Sequence, residues 1–515
     1  MLETFAYVML KLQNAKTSLR RFRQMLFGAR TESRRNVLQQ NSGGEAGQSN
    51  DDTRAQASPS EQARVAAPDR LCEPGKPAGH GRAGAHAYSG ASVIAVEHPD
   101  LKPGDPCPQC PTGKVYAYEL KKLVRVVGQP PLAASLYELE RLRCRLCDAM
   151  FTAALPEQAS PYKYDESCAS MIALLRYGSG VPFFRLEGLQ ASLHVPLPDA
   201  TQWDIVAGAV EGPRRVYAEL IRQAAQGQVL HNDDTPARIL ALMGERAKKA
   251  QAQALAEAPE AKAINTSGIV ALVQERKIVL FFTGHRHAGQ NLAQVLVHRA
   301  EHSAAPIQMC DALSCNFTKE FKTILAHCIA HARRKFVDVL EDFPEACRHV
   351  IERLAGVYEH DAYCRDQKMS REQRLVYHQE MSGPLMQQLK NWMEEQLQQR
   401  QVEPNGGLGQ ALRYMLKHWS ELTLFLRQAG APLDNNVCER ALKKAIVHRK
   451  NSLFYRSLNG AEVGDIYMSL IYTCQLCGAN PFEYLQALQR HADELKTRAP
   501  EWLPWNYHER LADTS

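Results

Sequence analysis

The first part of the chain carries an apolar repeat of seven residues. Phe5, Leu12, Leu19 and Leu26 occupy one position of this heptad, and further apolar residues stand three places after them. The spacing predicts a helix over residues 1–35 with one apolar face. Because the segment ends in the strongly basic RRFRQMLFGARTESRR, it fits self-association combined with phosphate contact. An amphipathic helix packed on its own domain remains the alternative.

The apolar pattern stops after this helix. Residues 36–90 are rich in Gln, Ser, Gly, Ala and Pro, as in QQNSGGEAGQSNDDTRAQASPS, and offer few side chains that could enter a core. Such a composition is typical of flexible or disordered segments. We therefore predict a flexible linker over this range.

Helical periodicity dominates residues 157–226. The stretch ESCASMIALLRYGSGVPFFRLEGLQASLHVPLPDATQWDIVAGAV predicts three short helices. The first ends near Tyr177, the second runs from about Pro182 to Gln190, and the third begins near Pro198. The short connection ASLHVPLPD between the last two is typical of a helix-turn-helix, which would make this range a DNA-binding domain. A small helical bundle of another kind shows the same pattern.

The pattern then changes to strands. Three strands are predicted in VLHNDDTPARIL, GIVALV and KIVLFF, and a helix in AGQNLAQVLVHR. A fourth strand is predicted in APIQMCDALSCN, and a fifth strand followed by the basic start of a helix in ILAHCIAHARRKF. This order is that of a ribonuclease H-like fold, which we predict for residues 227–331 and 432–460. In that fold the first and fourth strands are neighbours. Asp233 and Asp311, at the ends of those strands, are then expected close together.

The remaining chain is predicted to be helical. Residues 332–431 are amphipathic without a strand signal and are expected to form a helical insertion in the core, and residues 461–515 a C-terminal helical segment. Between them, LDNNVCERALKKAIVHRK predicts a helix capped by Asp434 or Asn435 that carries Glu439. The fold class is thus multidomain α/β with added α-helical parts.

Composition and charge set limits without deciding function. A chain of 515 residues exceeds a single core, so two to four domains are expected. No apolar run approaches the roughly 18 residues of a membrane span, and the N-terminus lacks a signal-peptide core. Together with fourteen cysteines, this predicts reduced thiols in a cytoplasmic protein without membrane contact. The net charge of +6 is mild for this length.

Four cysteines form two Cys-x-x-Cys pairs, CPQC at Cys107 and Cys110 and CRLC at Cys144 and Cys147. Two such pairs can supply four thiolates in the tetrahedral array that a structural zinc ion prefers. The spacer is longer than in compact zinc modules, but it holds strand-like segments. We predict one structural Zn²⁺ in a zinc ribbon over residues 91–156.

A third pair, CQLC at Cys474 and Cys477, lies in an apolar helical pattern with no second pair nearby. A helix end closed by Gly478 explains these residues, and we predict no metal there.

The adjacent aspartates of HNDDTP stand in a strand, where Asp is disfavoured and costly to bury unpaired. Turn chemistry accounts for Asp-Asp-Thr-Pro by itself. Likewise, an ordinary ion pair with Lys443 four residues on accounts for Glu439. The alternative is a metal site, in which Asp233 is a ligand. Asp234 then points to the opposite face of the strand.

Several motifs, HNDDTP, CIAHARRKF, LDNNVCERALKKAIVHRKNSLF and NPFEYL, resemble those of the insertion-sequence-66 family of bacterial transposases. RRFRQMLFGARTES, GHGRAGAHAYSGA with the Cys pairs, and LRYGSGVPFFRLEGL resemble its N-terminal, zinc and helix-turn-helix regions. Carried over by position, the Asp-Asp-Glu catalytic set falls on Asp233, Asp311 and Glu439. The chain departs from the family in having Asp234 where Glu is usual, and Ala312-Leu313 where Gly-Tyr is frequent.

The resemblance implies a transposase that binds the ends of its element and catalyses DNA cleavage and strand transfer. It implies two Mg²⁺ ions, for which Mn²⁺ can substitute, held by the three carboxylates. Double-stranded DNA, a homo-oligomeric partner and accessory proteins of the same element are the expected partners. A nuclease of the same fold that only hydrolyses, and a catalytically decayed DNA-binding protein, are the alternatives. Basic residues near the carboxylates are expected to contact DNA: Arg333, Arg334, Lys335, Lys443, Lys444, Arg449 and Lys450.

Overall fold

The computed structural model describes residues 100–109, 113–117, 129–143, 150–154, 156, 162–243 and 264–514. The predicted N-terminal helix and linker lie outside the described residues, as do Cys110, Cys144 and Cys147. The described residues fall into two units, one within residues 47–130 and the other within residues 131–515.

The region predicted to bind zinc is described only in parts. In the smaller unit, the N–H of Cys107 donates to the carbonyl of Gly113 at 2.8 Å. In the larger unit, β1 (Arg141–Arg143) pairs antiparallel with β2 (Met150–Thr152). By sequence, the second Cys-x-x-Cys pair falls between these two strands. The zinc ion itself stays a prediction.

The three predicted helices after this hairpin are confirmed, and a fourth follows them. None of the four has a core of its own, because Ile172, Leu186, Val206 and Leu220 are buried in one hydrophobic cluster with the strands described below. The helices are α1 (Glu166–Ala173), which continues as a π-helical turn (Leu174–Gly178), α2 (Phe183–Ser192), α3 (Asp199–Gly208) and α4 (Glu211–Ala225).

A five-stranded mixed sheet forms the centre of the larger unit. Its strands are β3 (Val229–Pro236), β4 (Asn265–Val273), β5 (Arg276–Gly284), β6 (Ile307–Cys310) and β7 (Ile324–His327), in the order β5-β4-β3-β6-β7. β3, β4 and β5 are antiparallel, whereas β3, β6 and β7 are parallel. Helix α5 (Ala288–Leu296) makes the crossover from β5 to β6. The prediction that the first and fourth strands of this sheet are neighbours is confirmed.

All regular elements in residues 328–435, a range that is fully described, are helical. They pack around a second hydrophobic cluster, which includes Phe336, Leu354, Leu389 and Leu412 and which also takes in Met309 of β6. The helices are α6 (Ile329–Val337), α7 (Pro344–Asp366), α8 (Arg371–Tyr377), α9 (Gly383–Gln398), α10 (Gly407–Lys417) and α11 (Trp419–Leu422).

After these helices the chain returns to the sheet. α12 (Asn436–Ser452) crosses it, and α13 (Leu458–Cys477), α14 (Pro481–Arg490), α15 (Leu495–Arg498) and α16 (Tyr507–Thr514) complete the larger unit. Gly478 has a φ of 75° and ends α13 in the left-handed conformation, as its sequence predicts. Among the described residues, no helix is both long and apolar enough to cross a membrane.

Helix α13 covers the outer edge of β5 through hydrogen bonds as well as packing. Its residues Asp465, Ser469 and Thr473 are spaced by one helical turn and are buried. Their side-chain oxygens accept hydrogen bonds from backbone N–H groups of the edge strand: those of Thr283, Phe281 and Val279, respectively. An exposed edge strand is a template for unwanted pairing, so this polar row protects the sheet.

Removing a member of the polar row should destabilise the protein. In Ser469→Ala or Thr473→Val, a buried backbone N–H of β5 loses its acceptor. We expect each change to lower the free energy of unfolding by about 1–3 kcal/mol, as measured by urea denaturation.

Ser192→Ala is the matched control, because Ser192 is an exposed helical serine that donates only to the carbonyl of Gly188. Its effect should stay within about 0.5 kcal/mol. Equal effects of all three substitutions would show that the edge contacts contribute no stability of their own.

Candidate active site

Asp233 lies near the end of β3 in the centre of the sheet. It stands opposite Gly268 of β4 in the antiparallel register. Side chains of directly opposed residues share one face of a sheet, so the Asp233 carboxylate lies on the face that α12 approaches at Gly268. The carboxylate accepts a hydrogen bond from the N–H of Asp234 at 2.8 Å.

Asp311 follows β6 directly. The parallel register pairs Leu230 with Gln308 and His231 with Met309. Continuing that register by two residues places Asp233 opposite Asp311. One amide group contacts both carboxylates: Nδ2 of Asn316 donates to Oδ1 of Asp311 at 2.5 Å and lies 3.4 Å from Oδ1 of Asp233.

Asn316 is held firmly in this bridging position. It ends a short 3-10 turn (Ser314–Asn316) and is buried. Its carbonyl accepts hydrogen bonds from Nδ2 of Asn232 at 2.8 Å and from Nε2 of Gln308 at 2.7 Å. Helix α5 packs against this turn at Gly289, where a Cβ would lie 2.3 Å from the carbonyl oxygen of Phe317. Only glycine fits there, which fixes the turn against the helix.

Glu439 reaches the same end of the sheet on the first turn of α12. The preceding residue, Cys438, donates its thiol proton to the carbonyl of Gly268 at 3.3 Å. A Cβ on Gly268 would lie 2.9 Å from Cδ2 of Leu442, so this glycine permits the close approach of α12. Glu439 therefore lies above the strand pair that carries Asp233.

The start of α12 is tied to β3 by Asn435. Its Nδ2 donates to the carbonyl of Asn232 at 3.1 Å, and its Oδ1 lies 3.1 Å from Nδ1 of the buried His231. No ion pair joins Glu439 to Lys443 in the described part of the chain. Glu439 instead faces His331, whose Nδ1 lies 3.7 Å from a carboxylate oxygen.

The electrostatics of the site reflect crowded negative charge. Burial raises the pKa of the Asp233 carboxyl to about 7, and the charges of Asp311, Asp234 and Glu439 add to the increase. Burial also raises the pKa of the Cys438 thiol, with Asp233 and Glu439 contributing. Carboxylate oxygens are the donors that Mg²⁺ prefers, and a bound cation would relieve this repulsion. The donor set therefore fits divalent metal ions.

Asp234 points to the opposite face of the sheet, as the strand pattern predicts. Its carboxylate accepts hydrogen bonds from Oγ of Ser267 at 2.6 Å and from the N–H of Ala288 at 3.0 Å. Nδ1 of His287 lies 3.0 Å from it. Asp234 thus joins β4 to the N-terminus of α5, where a negative charge is favoured.

A cavity of about 520 Å³ opens beside Glu439. Residues of α6, α7 and α12 line it, including His331, Arg333, Arg334 and Tyr358. Arg333 and Arg334 line this cavity together with Glu359 and Glu439, so its wall carries charges of both signs.

The sequence profile of the Transposase IS66 family matches residues 162–463, which is more than half of the chain. The chain belongs to the IS66 family. Its match to the uncharacterized protein y4hP of Sinorhizobium fredii is 26% identical over 392 residues and covers 73% of this chain and 68% of that protein. The match to the uncharacterized protein y4qI of the same organism is 26% identical over 375 residues. It covers 71% of this chain and 66% of that protein.

A further relative, the uncharacterized protein y4jD of Sinorhizobium fredii, is 36% identical over 188 residues. This match covers 36% of each chain, so the IS66-family protein described here spans little more than a third of that relative. No solved structure matches the chain.

The predicted DNA-contacting residues of this IS66-family chain lie in different environments. Arg334, Lys443 and Lys450 are exposed, and Arg333 lines the cavity beside Glu439. Three more have the following contacts: Nζ of Lys335 lies 4.3 Å from the ring centre of Tyr414, Nζ of Lys444 lies 5.6 Å from that of Tyr472, and Arg449 donates to Oγ1 of Thr235 at 3.1 Å.

Two residues of the site are not evident from the sequence. Asn316 stands in the irregular stretch LSCN, where an amide has no periodic signal. His331 lies in CIAHARRKF, where the basic residues indicate DNA contact and nothing in the pattern singles out the histidine. Only the folded chain shows that these side chains contact the carboxylates.

The two neighbouring aspartates should respond oppositely to the same substitution. Because folding raises the pKa of the Asp233 carboxyl, ionisation lowers the stability of the fold progressively as the pH rises from the ordinary pKa to about 7, and the loss is complete above that pH. Without divalent metal, Asp233→Asn should raise the free energy of unfolding by about 2 kcal/mol at pH 8 and by much less at pH 4. Asp234→Asn should lower it by about 1–2 kcal/mol, because hydrogen bonds to a charged acceptor are weakened.

Urea denaturation of both variants in a chelating buffer tests this contrast. A loss of stability in Asp233→Asn at pH 8 equal to that in Asp234→Asn would contradict the assignment of strain to the Asp233 carboxylate.

Proposed function

We propose that this chain is a D-D-E transposase with a ribonuclease H-like catalytic core, which binds the ends of its mobile element and cuts and joins DNA strands. Membership of the IS66 family supports a transposase function. The observation that carries the catalytic assignment is the convergence of Asp233, Asp311 and Glu439 at one end of the sheet. The parallel pairing of β3 with β6, beside the antiparallel β4 and β5, supports the core assignment.

In this proposal the three carboxylates would hold two Mg²⁺ ions, for which Mn²⁺ can substitute. Such ions neutralise charge on the entering and leaving oxygens of a phosphodiester and activate the attacking water or 3′-hydroxyl. Asn316 keeps Asp233 and Asp311 at a fixed separation, which spares the site a rearrangement when DNA arrives. His331 lies beside the Glu439 carboxylate, with its Nδ1 3.7 Å from a carboxylate oxygen.

The basic residues around the cavity are proposed to carry the DNA backbone. Arg333 and Arg334 line the wall next to Glu439 and offer guanidinium groups to a phosphate. Lys443 and Lys450 extend this positive surface along α12, where both are exposed. Lys335, Lys444 and Arg449 belong to the same surface, and Arg449 also fixes the end of β3.

Recognition of the element's ends is assigned to the upstream segments. Helices α2 and α3 are proposed as the helix-turn-helix, which presents exposed side chains such as Phe184 and Leu189. Because these helices share a core with the sheet, they would bring bound DNA to the catalytic unit without a flexible joint. The N-terminal helix is proposed to support oligomerisation and DNA contact.

Loss of any catalytic carboxylate should abolish cleavage. Asp233→Asn, Asp311→Asn and Glu439→Gln each remove one negative charge from a site proposed to hold two divalent ions. We expect each variant to lose several kcal/mol of transition-state stabilisation, equivalent to a rate decrease of roughly a thousandfold or more. The measurement is Mg²⁺-dependent cleavage and joining of labelled DNA that carries the element's ends.

Binding to the same DNA should persist in these variants, and Asp234→Asn should keep measurable activity because it faces the other side of β3. An inactive Asp234→Asn beside an active Asp233→Asn would overturn the catalytic set. Cleaved but never joined products from the wild-type protein would favour a hydrolytic nuclease.

A structural zinc ion is proposed at Cys107, Cys110, Cys144 and Cys147. Cys144→Ser should release one zinc ion per chain and weaken binding to the element's ends, since the folding of such a module depends on its metal. Elemental analysis and DNA binding assays check both effects. Unchanged zinc content in the variant would show that these cysteines do not form the site.

A further inference from the structure

Three side chains with metal-binding atoms meet at the β7 edge of the sheet. His327 is the last residue of β7, His418 follows α10 directly, and Glu421 lies in α11. Their ligand atoms all lie within 4.8 Å of one another. None of the three belongs to the proposed catalytic set.

His327 is the unusual member of this cluster. Its side chain is only 3% exposed, yet neither Nδ1 nor Nε2 has a hydrogen-bond partner. Its ring stacks on Phe317 at 5.6 Å between centres and meets the edge of the His418 ring at 5.0 Å. Burying an imidazole with both nitrogens unsatisfied costs free energy, so such a group is retained where a ligand completes it.

Burial lowers the pKa of both histidines. It lowers the pKa of His327 to about 4, and the neighbouring His418 lowers it further, against the opposite effects of Glu421 and Asp311. For His418 the charges of Lys417 and Lys335 add to the decrease, and Glu421 opposes it.

Two other groups of potential ligands are already engaged. In the group Asp234, His287 and Cys315, the carboxylate accepts hydrogen bonds from β4 and the start of α5. The group Cys328, His331 and Glu439 contains a carboxylate of the proposed catalytic site. Of these three groups in the described part of the chain, the cluster at His327 is the one that combines unsatisfied buried nitrogens with a position outside that site.

We propose that His327, His418 and Glu421 bind one divalent transition-metal ion, with Zn²⁺ as the best fit. Two imidazoles and one carboxylate are a common zinc donor set, which leaves a fourth position for water. Mg²⁺ does not suit this cluster, because it prefers an all-oxygen environment. The site would thus be chemically distinct from the carboxylate site at the end of β3.

Such an ion would join the sheet to the helices that follow it. His327 belongs to the sheet, whereas His418 and Glu421 belong to the last helices of the segment between β7 and α12. α11 has only four residues and packs beside β7. A metal ion at this point would therefore fix the helical segment to β7, the edge strand of the sheet that follows Asp311 in the chain.

The test is metal analysis of the purified full-length chain after equilibration with zinc in excess Mg²⁺, which keeps the carboxylate site occupied by Mg²⁺. His418→Ala and Glu421→Gln should each lose one zinc ion per chain relative to wild type. Both positions are partly exposed, so these variants should fold, as circular dichroism would verify. The exposed His302→Ala is the matched control and should keep the full zinc content.

Cobalt substitution separates this site from the proposed cysteine site. Co²⁺ bound by histidine and carboxylate gives visible bands without the sulfur-to-metal charge-transfer band that cysteine ligands produce. The component without sulfur should be present in wild type and in Cys144→Ser and absent in His418→Ala. Zinc content and visible bands that are unchanged in both His418→Ala and Glu421→Gln would overturn the proposal, as would a wild-type spectrum of sulfur type alone.

Discussion

The structure depends on holding three like-charged groups together in a partly buried place. Carboxylates repel one another, and burial removes the water that would screen them, as the raised pKa of Asp233 shows. The fold opposes this repulsion with rigid local contacts. The parallel register of β3 and β6 sets the spacing of the two aspartates, and the amide of Asn316 donates toward both. Perturbed carboxyl groups of this kind cluster at functional sites.

The third carboxylate reaches the site only because the chain returns to the sheet after a long helical segment. Two contacts fix the chain where it returns to the sheet. The N–H of Ile329 donates to the carbonyl of Leu433, and the side chain of Asn435 binds the backbone of β3. Gly268 then lets α12 approach the strands closely. The helices between β7 and α12 share their hydrophobic cluster with β6 and with Leu433, which lies shortly before α12.

Much of this arrangement can be predicted from the sequence, because the patterns that indicate its strands and helices are local and periodic. The strand runs around Asp233 and Asp311, the helix that carries Glu439 and the end of α13 at Gly478 all lie where the patterns predict. The roles of the carboxylates stay predictions, since they concern chemistry and not placement. The polar row of α13 had a signal too: Asp465, Ser469 and Thr473 recur every fourth residue within an apolar helix.

Other features could not be predicted, because they join residues far apart in the chain. Asn316 contacts two carboxylates only after a turn and a helix are packed together. His327 ends a strand, whereas His418 and Glu421 lie about 90 residues further on, at a turn after one helix and in the next. Sequence periodicity does not predict such contacts, because they depend on how the strands pair and on the path of the helices between them.

The order of the carboxylates along the chain has a consequence for protein synthesis. Domains generally fold as they emerge, and translation proceeds at about 5–20 residues per second. Helices α1 to α4 and the first two carboxylates leave the ribosome early, whereas Glu439 follows Asp233 by roughly 10–40 s at that rate. During this interval α12 has not been synthesised, so it cannot cover the face of β4 around Gly268. A ribosome-bound chain therefore lacks a complete carboxylate set until this late stage, and its upstream helices also lack α13, with which they share a hydrophobic cluster. A chain that terminates before Glu439 never acquires the set.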